Sequence, residues 1–133
     1  MIVADTNLIA YFLINSGFTP DASAVYQKDP DWIAPLLWRS ELRNVLIQSL
    51  RQALLSLDEI ISIMNRAEGL MKDSGYQMDS SRVLRLAADS GCTAYDCEFV
   101  ALALDLGIPL VTSDRALIEK FKHNVVSMKS FCS

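Results

Sequence analysis

The chain has 133 residues, 51% of them hydrophobic, and a formal charge of −4 from 16 acids against 12 lysines and arginines. That length suits one domain over 1–133, able to bury roughly two-thirds of its unfolded surface, and the apolar content argues against disorder. No apolar run reaches the ~18 residues of a membrane span, and the opening Met1-Ile2-Val3-Ala4-Asp5 lacks the basic-then-apolar start of a signal peptide.

A cytoplasmic protein without membrane contact is therefore expected. The cysteines are Cys92, Cys97 and Cys132, with no CxxC, and His123 is the only histidine. These thiols read as reduced small hydrophobes rather than zinc ligands, and any mechanism that needs two histidines is excluded.

Taken in order, the elements alternate. Residues 1–5 form a β-rich run and 6–15 a mostly buried helix. Residues 16–31 are loop around a short helix at 21–28. A strand follows at 32–34, with Pro35 as the first residue of the next helix. Over 36–54 apolar side chains recur with a 3.6-residue period, and a second such stripe covers 57–73, stopped by Gly75. A weak strand at 76–78 precedes helices at 80–90 and 94–106, separated by Gly91, with Gly107 as C-cap of the second. Residues 109–112 are a strand, 115–122 a short helix and 124–128 the last strand. This alternation predicts an α/β fold with a mainly parallel sheet, whose ligands bind beyond the carboxyl ends of the strands.

Four acids stand at element ends or inside helices: Asp5 closes the first strand, Asp114 follows the strand at 109–112, and Glu41 and Asp96 lie on helices. Each has a structural alternative. Asp5 and Asp114 fit helix N-caps, Thr93-Ala94-Tyr95-Asp96 has capping-box spacing, and Glu41 fits an exposed helix turn. Helical phasing separates these readings. Glu41 shares its face with Leu37, Trp38, Asn44 and Val45, and Asp96 with Cys92, Thr93, Phe99 and Val100, so both point inward. Glu98 lies about 160° from Asp96 around the helix and is expected in solvent. A buried carboxylate without a partner costs several kcal/mol, so the inward acids call for a cation. Carboxylate oxygens select Mg²⁺ or Mn²⁺ over zinc. Setting the four acids aside leaves the remaining charges balanced, which suits a transient encounter with RNA.

Asp5-Thr6-Asn7 after the first strand, Ser40-Glu41-Leu42 inside a helix, Tyr95-Asp96 followed by Phe99-Val100-Ala101-Leu102-Ala103, and Thr112-Ser113-Asp114 after a late strand resemble the PIN-domain family. Within it, the chain is most similar to the VapC-type toxins of VapBC toxin–antitoxin pairs, over essentially its whole length. The resemblance implies a three-layer α/β/α sandwich and a Mg²⁺- or Mn²⁺-dependent endoribonuclease. Asp5, Glu41, Asp96 and Asp114 would be the catalytic, metal-binding quartet, with Thr6, Asn7 and Thr112 as supporting polar residues. Asp5 and Asp96 are the first choices as direct ligands; Glu41 and Asp114 bind directly or through water.

An RNA substrate, a cognate antitoxin and a homodimer are the implied partners. Among the arginines at 39, 43, 82, 85 and 115, Arg115 is the best phosphate contact because it adjoins Asp114. The alternatives are a housekeeping RNA-processing nuclease of the same family and a non-catalytic binding module on the same fold.

Overall fold

The computed structural model describes residues 1–71 and 75–133. In chain order the elements are β1 (Ile2–Ala4), α1 (Thr6–Leu13), α2 (Thr19–Lys28), β2 (Trp32–Ile33), α3 (Trp38–Arg51), α4 (Leu57–Leu70), α5 (Ser80–Ser90), α6 (Ala94–Leu106), β3 (Leu110–Val111), α7 (Arg115–Lys120), β4 (Val125–Val126) and α8 (Met128–Cys132). The four strands form one parallel sheet in the order β2-β1-β3-β4, with Val3 paired to both Ile33 and Leu110. Helices flank the sheet, giving the expected α/β sandwich. Successive crossovers leave β1 in opposite directions along the sheet. The switch point lies between β1 and β3, where open α/β sheets form a crevice at the strands' carboxyl ends.

The strands are short and entirely apolar, and the sheet residues Ile2, Val3, Ala4, Leu110 and Val111 have no exposed surface. Burial on both faces explains why these segments read as continuous hydrophobic runs rather than alternating ones. Trp38, Leu42 and Leu46 bring the stripe of α3 into the same core, and Phe99, Val100 and Leu102 that of α6.

Several boundaries differ from the sequence expectation, each for a local reason. Pro35 is not the first helical residue. It forms a parallel bridge with Tyr76, Leu36 donates its amide to the Tyr76 carbonyl at 3.0 Å, and α3 begins at Trp38. The expected strand at 76–78 reduces to that one bridge. The helix expected at 6–15 ends at Leu13, where Ile14 turns extended, and α2 starts earlier than expected, at Thr19. The final strand stops at Val126 because the Ser127 side chain accepts the amide of Ser130 and caps α8, a helix the sequence reading missed. The end of the helix expected at 57–73 lies outside the described residues. Gly91 and Gly107 close α5 and α6 at φ of 75° and 65°, the left-handed conformation that glycine adopts without a Cβ penalty.

Candidate functional site

A cleft of about 230 Å³ opens at the carboxyl edge of the sheet, lined by Asp5, Glu41, Asp96 and Asp114 together with Thr6 and Asn7. Four separate elements deliver the acids: the β1–α1 junction, α3, the first turn of α6 and the N-cap of α7. Asn44, Val45, Phe99 and Leu117 complete the wall. Asn44 was named in the sequence only as a neighbour of Glu41; its position one turn further along α3 was the signal that it shares the site.

Capping and site roles coexist in this arrangement. Asp5 is 8% exposed; its Oδ1 accepts the amide of Leu8 at 2.8 Å and its Oδ2 accepts the hydroxyl of Thr112. Each oxygen keeps a further lone pair. Thr112 is fully buried and also accepts the amide of Asp114 at 3.0 Å, so one hydroxyl ties the first acid to the last. Asp114 caps α7 through Oδ1 alone, taking the amides of Ala116 and Leu117 at 2.9 and 3.2 Å. Thr6 donates to Glu41 Oε1 at 2.7 Å. At α6 the cap is Thr93, which accepts the amide of Asp96 at 3.0 Å, while the Asp96 side chain lines the cleft.

The electrostatics are those of crowded carboxylates. Burial pushes Asp5 up to about 6 against its hydrogen bonds from Thr112 and Leu8, and the charges of Asp96 and Glu41 add to the rise. Glu41 and Asp96 are also raised, chiefly by burial, with Asp96 acting on Glu41 and Asp114 on Asp96. Among the described residues no three acidic, histidine or cysteine side chains converge into a preassembled metal cage. Repulsion between unscreened carboxylates opposes such convergence. The donor set is nonetheless all oxygen, and the upward shifts record burial first, with the mutual repulsion of the carboxylates adding to it. Both fit a hard divalent cation.

Two expectations need correction or limits. Glu98 is not in open solvent. It is half-buried and lines a second groove with Leu37 and Ser40 of the α3 entry, and its carboxyl is raised by burial and by Glu41. Leu36, Leu37 and Ser40 before and at the start of α3, with Tyr76 and Met78, line the groove at Glu98, a neighbourhood that phasing within α6 does not reveal. Arg115 is the exposed first residue of α7 and does not line the cleft. Arg82 pairs with Asp105 at 2.7 Å on the surface, and the Arg39 guanidinium lies over the Trp38 ring at 5.6 Å.

Comparison with known proteins bears on the family and the fold. The family profile described as "PIN domain" matches residues 2–123. No curated protein matches the chain. Among solved structures, the chain is similar to PAE2754 from Pyrobaculum aerophilum, with a TM-score of 0.79 and 19% identity over 98% of this chain and 85% of that one. It is also similar to FitAcB from Neisseria gonorrhoeae, with a TM-score of 0.71 and 19% identity over 97% of this chain and 99% of that one. At these identities the two structures speak for the fold.

Proposed function

Because the chain belongs to the PIN-domain family, whose members are generally metal-dependent nucleases, we propose that it is a Mg²⁺- or Mn²⁺-dependent endoribonuclease. The observation that carries this reading is the convergence of Asp5, Glu41, Asp96 and Asp114 on one cleft at the switch point of the sheet. Asp5 and Asp96 would hold the cation, and Glu41 and Asp114 would act on it directly or through water. Such an ion, when bound, would supply a lowered pKa for a water and neutralisation of charge on the phosphoryl oxygens.

The protein's own groups do the positioning. Thr112 and the Leu8 amide fix both oxygens of Asp5, so it presents its remaining lone pairs in one orientation. Thr6 holds Glu41 Oε1, leaving Oε2 to take a proton from the attacking water. Asn7 supports the substrate beside Asp5. Val45, Phe99 and Leu117 give the cleft its apolar wall beside the acids. Water attacks phosphorus in line and the 3′ oxygen leaves. The lone exposed His123 cannot run a two-histidine mechanism through the 2′-hydroxyl. Arg115, exposed and next to Asp114 in the chain, would be the contact for a flanking phosphate.

Within this reading the protein is a cytoplasmic VapC-type toxin that acts as a homodimer and is restrained by a cognate antitoxin. Leu54, Leu57 and Ile61, which are 70%, 55% and 50% exposed, offer an apolar face for such a partner. The deciding experiment is cleavage of RNA with Mg²⁺ or Mn²⁺, with and without EDTA, by the wild type and Asp5→Asn. The reading requires cleavage that EDTA and Asp5→Asn each abolish. Equal cleavage by both proteins, or cleavage that survives EDTA, defeats it.

A further inference from the structure

A second groove adjoins the acidic cleft. Leu36, Leu37 and Ser40 from the entry to α3, Tyr76 and Met78 from the segment bridged to it, and Glu98 of α6 line a cavity of about 430 Å³. The two hollows have no lining residue in common, but both draw on α3 and α6, and the charge of Glu41 is felt at Glu98. Ser40 directly precedes Glu41 on α3, Leu37 lies one turn before it, and Glu98 is two residues past Asp96 on α6. A chain lying across the acidic cleft therefore meets this groove as its neighbouring site.

The chemistry of the groove differs from that of a phosphate site. Among the described residues no lysine or arginine lines it, and its charged group is a carboxylate, which repels phosphate. Glu98 makes no hydrogen bond or ion pair among the described residues, so both its oxygens are open to a ligand. A tyrosine ring beside leucine and methionine side chains is a surface on which a planar base stacks, and stacking requires that the base be free of a duplex.

The open carboxylate then discriminates between bases. It accepts at two oxygens. Guanine alone among the RNA bases presents two adjacent donors on one edge, N1–H and the N2 amino group. In adenine and cytosine the amino donor sits beside a ring-nitrogen acceptor, and in uracil N3–H lies between two carbonyls, so a carboxylate meets repulsion in each.

Building on the nuclease reading, we propose that this groove is a base subsite for an unpaired guanine next to the scissile phosphodiester, with Glu98 as its specificity-determining residue. Tyr76, Leu36 and Met78 hold the ring, and the two carboxylate oxygens of Glu98 accept from N1–H and the N2 amino group.

The test is independent of turnover. Fluorescence anisotropy in Mg²⁺ buffer compares Asp114→Asn with Asp114→Asn/Glu98→Gln on single-stranded oligouridylates carrying one guanine, inosine or adenine. Inosine keeps N1–H and lacks only the N2 amino group. Asp114→Asn is expected to bind the guanine strand about tenfold more tightly than the other two, in line with bidentate recognition, and Glu98→Gln to remove most of that preference. Equal binding of guanine and inosine, or a guanine preference that Glu98→Gln leaves intact, overturns the subsite. Failure of the wild type to cleave any RNA overturns the nuclease reading instead, and the binding result still decides the subsite.

Discussion

Asp5 is held by two protein donors and yet sits where its charge is least welcome. Its folded-state value of about 6 stands above the ordinary 3.8, so between these values the native state binds more protons than the unfolded chain. The stabilising contribution is present in full below the unfolded value and is lost as pH rises through about 6. At neutral pH the metal-free protein thus carries a burden on the order of 2–3 kcal/mol from this one group. Glu41 and Asp96 are displaced in the same direction and steepen the trend. Asp5→Asn is accordingly expected to be more stable than the wild type in EDTA at pH 7.5, with the difference fading toward pH 4 in urea unfolding. A variant no more stable at pH 7.5 would show that the carboxylate is not strained. Thr112→Val should act in the opposite sense. It strands the Asp114 amide and removes a donor from Asp5, so a loss of about 1–3 kcal/mol is expected at pH 7.5.

At the scale of elements, α6 bears much of the site, and its two ends are fixed by different devices. Thr93 caps the N-terminus through the amide of Asp96, and Gly107 closes the other end at φ 65°. A Cβ at Gly107 would meet nothing within 4 Å, so Gly107→Ala isolates the backbone term, about 1–2 kcal/mol. The urea midpoint should fall while the slope of the transition stays unchanged; an unaltered midpoint would mean the left-handed turn carries no strain. Such termini were readable in the sequence because caps are local chemistry. So were the inward directions of Glu41 and Asp96, which depend only on helical phasing. Features set by neighbours were not readable. Glu98 looked solvated because its own helix cannot reveal the α3 entry packed beside it, and Pro35 looked like a helix start because its bridge to Tyr76 spans forty residues of chain. The missed α8 had a local signal in Ser127, masked by the apolar run of β4 just before it.

For the whole molecule, sheet order and charge act together. The order β2-β1-β3-β4 places the end of β1 beside that of β3, so residues more than a hundred positions apart share one hydroxyl at Thr112. The resulting cleft concentrates negative charge in a chain whose net charge is already −4. An RNA phosphate approaching that cleft is repelled unless a cation intervenes, since among the described residues no arginine or lysine lines it. Divalent metal should therefore govern RNA binding as well as cleavage. With Asp114→Asn, which leaves Asp5 and Asp96 in place, an RNA strand should bind weakly in EDTA and more tightly as Mg²⁺ is added at constant ionic strength. The dependence on monovalent salt should also be shallow. Each phosphate neutralised by a basic side chain contributes nearly one unit of log–log slope, so a magnitude below about 3 is expected. Tight binding in EDTA with a steep salt slope would instead require a basic RNA-binding face, with the acidic cleft only a secondary contact.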